Sequence, residues 1–269
     1  MPVTRNRRLL HSRRLRDGDE EFGWIIAQMT PNPRRKIIEA LHESRMRPYL
    51  DAAHNNDKHA LALYRWHLEL TASVQTVLGV TEVFLRNAMD SQLQVWNDNE
   101  TGGTASWLLS DPASPLRSLS AGKRKQARDR ATDDLIARDS GHARHGVPVS
   151  HDDVLAHITF GLWKELLPNH QPGAGNATEN ANRKRLWDEA LENAFQGEND
   201  PDGEITFWRV AHLHHLRNRV SHMEPLLTID VKDKVDEAFR LVRSIDPKLA
   251  DWLTGVSNVA SVLKQRPDI

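Results

Sequence analysis

The sequence predicts an all-α fold, a multi-helix bundle. Apolar residues recur at spacings of three, four and seven over long stretches, the period that keeps one face of an α-helix apolar. Valines are scattered, and no segment sustains the apolar–polar alternation of a half-buried strand. Clusters of Asn, Gly, Ser and Pro cut the chain at 98–115, 168–180 and 197–203, leaving helix-length segments between them.

Residues 1–35 are set apart as a basic N-terminal arm and lead-in, and 36–269 as a single all-α domain. In 60–97 a stripe runs through Leu78, Leu85, Met89, Leu93 and Trp96, at spacings of seven, four, four and three. Gly79 interrupts it, and a glycine inside a helix costs about 1 kcal/mol relative to alanine, so a bend or break is expected there. Residues 152–167 and 181–195 read as two further helices, and 205–222 as another. Residues 231–245 place Val231, Val235, Phe239, Val242 and Ile245 on one face. Asp246-Pro247 stops that helix, and Pro247 can open the next, because proline fits the first helical position. Residues 248–264 continue with Leu249, Trp252, Val256, Val259 and Leu263.

The bulk composition of the 269 residues bounds the function. At 39% hydrophobic and 27% charged the chain can build a core and does not resemble a disordered one. A formal net charge of -1 gives no overall attraction for nucleic acid, so any such attraction is local. The absence of cysteine excludes a disulfide framework, a thiol nucleophile and thiolate-held zinc. No secretory signal is expected at the N-terminus and no apolar run long enough to span a membrane, which together point to a cytoplasmic protein without a membrane partner.

The segment HLHHLRNRVSHME, 212–224, concentrates the chemistry. On one continuous helix Asn218 and His222 share a face, His215 joins them, and Arg217 lies about 140° from His222. Pro225 makes a helix end near His222 expected, since the residue before a proline avoids the helical region. These residues could be a packed helix end, with a hydrogen-bonded histidine and a solvated arginine. His212, His215, His222 and Glu224 could also be read as a metal site, but their spacing chelates poorly without ligands from another helix. Two basic runs stand elsewhere: Arg5, Arg7, Arg8, Arg13 and Arg14 in the arm, and Lys123, Arg124, Lys125 and Arg128 in 117–130. Each could contact RNA phosphates, or be a floppy arm or a solvated helix face.

The segment LHHLRNRVSHMEPLL resembles the terminal motif of the Abi-like (abortive infection, AbiD/AbiF-type) proteins of the HEPN superfamily: Arg217, Asn218, then His222. LYRWHLELTASVQTVLGVTEVFLRNAMDSQL (63–93), with Tyr64, Trp66, Glu82, Arg86 and Asn87, is similar to the family's first long helical motif. ITFGLWKELL (158–167) looks like its Phe-Gly-x-Trp segment, and LADWLTGVSNVASVLKQRP like its C-terminal ending. Together these cover roughly 40–266 in the expected order. The family often has a second histidine after the motif histidine, where this chain has Met223.

The resemblance implies a HEPN-like core and a metal-independent endoribonuclease of antiviral defence, with no cofactor and an RNA substrate. It also implies a homodimer with two motifs facing each other, and a structured non-coding RNA as a further partner. His222 would move the proton, Arg217 would clamp the phosphate and Asn218 would orient. Glu82, Arg86 and Asn87 would support the site; the other reading of Glu82 and Arg86 is an ordinary i,i+4 helix pair. The alternative function is a non-catalytic module that binds RNA or a protein.

Overall fold

Every regular element among the residues described by this computed structural model, 31–173 and 176–269, is helical. In chain order these are α1 (Pro31–Ala40), α2 (Glu43–Ala52), α3 (Asp57–Thr101), α4 (Leu116–Ala137), α5 (His151–Ala156) and α6 (Phe160–Leu166). Then follow α7 (Ala177–Glu189), a 3-10 turn (Leu191–Ala194), α8 (Glu204–Ser221), α9 (Val231–Ile245), α10 (Pro247–Val256) and α11 (Val259–Lys264). The all-α prediction holds.

The chain forms two compact units. One takes the described residues through Ala72 with Pro225–Ile229 and Asn258–Ile269; the other takes Ser73–Glu224 and Asp230–Ser257. In the first, the start of α3 meets α11: the Trp66 indole N–H donates to the Val262 carbonyl at 2.7 Å. The Arg266 guanidinium lies 5.3 Å from the centre of the Trp66 ring, close enough for a cation–π contact. Tyr49 meets Tyr64 edge-on at 5.0 Å, and burial pushes the Tyr49 phenol well above its usual range. Trp66 and Tyr49 are thus core residues of this unit.

In the second unit α6 packs on α4 and α8, α8 on α9, and α9 on α10. The stripe Leu78, Leu85, Met89, Leu93 and Trp96 is buried throughout, as its spacing requires. On α9, Val231, Val235 and Val242 are buried, and Phe239 and Ile245 half-buried.

Several boundaries differ from expectation. α3 runs unbroken through Gly79, because its neighbours Val77 and Leu78 are buried and their packing outweighs the cost of one glycine. The segment 152–167 is two helices rather than one: His157 caps α5 and Thr159 is extended, while Ile158 between them is buried. The segment 248–264 is likewise divided, at Ser257 and Asn258. On α10 the buried residues are Ala250 and Leu253, while Trp252 and Val256 are 55% and 42% exposed. The apolar face there is rotated from the expected one. One 18-residue window of α3 has mean hydropathy 1.3, so that this helix is long and apolar enough to cross a membrane, contrary to the sequence expectation; 39% of that window is buried inside the protein.

Candidate functional site

The helix that carries the 212–224 motif is fixed at both ends. Its start is Gly203, at φ 75, where an added Cβ would lie 3.0 Å from the Trp187 ring and 3.2 Å from Pro168. The Asp200 carboxylate, buried in the preceding turn, accepts the Ile205 and Thr206 N–H groups at 3.1 and 2.8 Å. A negative group at the first turn satisfies free N–H donors and complements the helix dipole. Phe207, Val210, Leu213, Leu216 and Val220 form the buried face.

At the other end the Met223 N–H donates to the Val220 carbonyl at 3.0 Å and the Glu224 N–H to the Arg219 carbonyl at 2.9 Å. That pair of bonds closes the helix as a Schellman turn, with Met223 at φ 54 in the place usually held by glycine. His222 is therefore the C-cap, exposed at the helix end, with its backbone N–H bonded to the Asn218 carbonyl at 3.0 Å. The helix end expected from Pro225 falls on the motif histidine itself.

Arg217 points toward α3. Its Nε is 3.9 Å from Glu82 Oε2, and both side chains are partly buried. Glu82 also accepts the backbone N–H of Phe160, in the first turn of α6. Burial pushes the Glu82 carboxyl above its usual range, while Arg217, Arg86 and the Phe160 N–H pull the other way. Arg86 Nε is buried with no hydrogen-bond partner among the described residues. Three sequence segments, around 82, 160 and 217, thus converge on one carboxylate. Asn218 is half-buried and Asn87 exposed, and neither is drawn into that cluster. No hydrogen bond or ion pair joins the His222 side chain to Arg217 or Glu82 among the described residues.

His214 belongs to the same cluster and was not singled out from the sequence. Its half-buried ring meets Phe160 edge-on at 5.7 Å. Burial and the charges of Lys164, Arg217, His215 and Lys123 push its pKa below the ordinary 6.5. The signal available in the sequence was its spacing, three before Arg217 on the same helix face.

The basic runs divide. Arg5, Arg7, Arg8, Arg13 and Arg14 lie outside the described residues. Arg124, expected on an RNA-binding face, is instead buried. Its Nη1 donates to the Trp107 and Ser110 carbonyls at 2.9 and 2.7 Å, and its Nη2 to Asp111 at 3.3 Å. It holds the loop before α4 and has no face left for a phosphate. Arg128 reaches the same loop, at the Leu109 carbonyl. Lys125 is exposed and paired with Asp129, while Lys123 is half-buried with its Nζ 4.0 Å from Glu165. Of this run, Lys123 alone lies close enough to His214 to shift it.

Two other histidine groups have different work. His212 pairs with Glu237 at 3.1 Å, and no group of three His, Asp or Glu gathers to hold a metal among the described residues. Ser106, His151 and Asp90 form a chain: the Ser106 hydroxyl is 2.8 Å from His151 Nδ1, and His151 Nε2 is 3.0 Å from Asp90. The Asp90 hydrogen bond raises the imidazole pKa, against the effect of burial. The hydroxyl also accepts the Leu108 and Leu109 N–H groups, and Asp90 accepts the Trp107 indole N–H at 2.8 Å. The set is a clasp joining α3, the loop before α4 and the start of α5. Comparison of this chain with protein-family models, with curated proteins and with solved structures finds no match.

Proposed function

We propose that the protein is an abortive-infection endoribonuclease of HEPN type, acting in the cytoplasm as a homodimer on RNA without a metal. The observation that carries the proposal is the approach of Arg217 on α8 to Glu82 on α3, where Arg86 lies one turn further along. The motif histidine, His222, stands exposed at the end of the same helix.

RNA brings its own nucleophile. Its 2′-OH attacks the adjacent phosphorus, the 5′ oxygen of the next nucleotide leaves, and a 2′,3′-cyclic phosphate remains. The protein must move a proton and stabilise charge on the pentacoordinate phosphorus. The Arg217 guanidinium offers a permanently charged fork that matches two phosphate oxygens. Glu82, held by the Phe160 N–H, fixes the direction of that fork from behind. The His222 imidazole, unencumbered at the helix end, is the proton carrier. Asn218 orients the substrate, since an amide does not titrate near neutrality. A second copy related by a twofold axis would present the same groups across the interface. A structured non-coding RNA is a second partner consistent with this reading.

The test is incubation of the purified protein with end-labelled RNA in excess EDTA. Cleavage leaving 2′,3′-cyclic phosphate ends is expected, and it is lost in His222→Ala while RNA binding persists. RNA binding without cleavage by the wild type would favour the rival reading, a non-catalytic module for RNA or a protein.

A further inference from the structure

We propose that His214 is a second imidazole of this site, the group that takes the 2′-hydroxyl proton while Arg217 holds the phosphate. The inference deepens the ribonuclease reading and rests on it. It supplies from one chain the second proton carrier that the reaction needs.

The geometry is that of one helix. Residues three apart share a face, with Cβ atoms about 5–6 Å from each other, so His214 and Arg217 can reach the same phosphodiester. The His214 ring is steadied by the edge contact with Phe160 at 5.7 Å. His214 Nε2 faces the backbone of Gly161 at the start of α6, 3.7 Å from where a Cβ there would stand. Neither ring nitrogen of His214 has a hydrogen-bond partner among the described residues, so a lone pair is free to accept a proton. The titratable and charged groups around the ring are Lys123 of α4, Lys164 and Glu165 of α6, and His215 and Arg217 of α8, with Glu82 of α3 behind Arg217 and Glu165 4.0 Å from Lys123. Surplus cationic charge disfavours a resting imidazolium and draws a phosphate to the same spot.

His222 lies eight residues further on, about 12 Å along the helix axis. Along the helix axis Arg217 therefore lies between the two imidazoles, with His222 turned about 140° from it around the axis. In-line displacement places the entering and leaving oxygens on opposite sides of phosphorus, and each needs its own proton carrier. The 2′-OH proton passes to the His214 ring nitrogen as the O2′–P bond forms. The P–O5′ bond breaks with its electron pair on O5′, which takes a proton from protonated His222. Exchange with water returns both rings to their starting states.

A 5′-bridging phosphorothiolate tests the assignment, because a thiolate leaves without a proton. The full-length chain is given this substrate and the ordinary RNA. His214→Gln is expected to slow cleavage of both by about a hundredfold or more, whereas His222→Ala is slow on RNA and restored on the sulfur substrate. The wild-type rate should fall at acid pH with a midpoint below 6.5, and that acidic limb should be missing in His214→Gln. Circular dichroism establishes that the variant is folded, and His214→Asn gives a second chance if it is not. The proposal is overturned if folded variants cut RNA within about threefold of wild type, if sulfur rescues His214→Gln, or if the wild-type acidic midpoint lies above 6.5. Wild type that cuts neither substrate overturns the ribonuclease reading and this inference with it, an outcome distinct from the other three.

Discussion

The Glu82 carboxylate faces the Arg217 and Arg86 guanidiniums and the Phe160 N–H at once. Glutamine at this position would still accept the N–H but would leave Arg217 without its counter-charge. A partly exposed pair at this separation is worth about 1 kcal/mol, so Glu82→Gln should reduce RNA cleavage about fivefold with little loss of stability. Arg217→Ala removes the clamp itself and should cost about a hundred- to a thousandfold in kcat, as for removal of an oxyanion-stabilising donor. Steady-state kinetics on one RNA separates the two. Arg217, Asn218 and His222 could be singled out in the sequence because they lie within six residues of each other and match the motif of the resemblance. His214 was not, since its chemistry depends on Phe160, Lys164 and Lys123, which only packing brings to it. Arg124 was misread for the same reason: nothing in a basic run tells which guanidinium turns inward to bind Trp107 and Ser110 carbonyls.

The helices were legible where burial is one-sided and long. The stripe from Leu78 to Trp96 and the α9 boundaries at Val231 and Ile245 followed directly from apolar spacing. The breaks at 157–159 and 257–258 did not, because the apolar pattern continues through them while the backbone turns. Helices α1 and α2 escaped notice in a polar stretch that holds Pro31, Pro33 and Pro48. Two glycines test the element account in opposite directions. An added Cβ at Gly79 meets nothing within 4 Å, so Gly79→Ala should stabilise the protein by about 0.5–1 kcal/mol in urea melts. Gly203 combines φ 75 with the Trp187 ring 3.0 Å from a Cβ. Gly203→Ala should therefore destabilise by about 1–3 kcal/mol and loosen the start of the helix that carries Arg217.

Across the molecule two ionic clasps give opposite pH dependences. The His151 pKa is raised in the folded chain, with Asp90 as the main cause. Its stabilisation is fully present below the unfolded value of 6.5 and is lost as pH rises through the folded value. Asp153 is half-buried, which alone would raise its pKa. Hydrogen bonds from the Ser150 backbone and hydroxyl and from Arg144 and Arg138 nevertheless hold its carboxyl well below the usual range. Its stabilisation is present above 3.8 and is lost as pH falls through the folded value. Urea midpoints should decline from pH 6 toward pH 9, and His151→Ala should flatten that decline while lowering stability at pH 6 by about 1–3 kcal/mol. The all-α architecture was legible as a whole, whereas the division into two compact units was not, because the first is assembled from three separate stretches of chain. The central claim is that this chain cuts RNA by means of the RNA's own 2′-OH. The direct measurement compares one labelled RNA, cut at a mapped position in EDTA, with the same strand carrying a single 2′-deoxynucleotide on the 5′ side of that position. The account predicts that the single substitution abolishes cleavage there while binding is unchanged; cleavage of the deoxy-substituted strand at the same bond would contradict it.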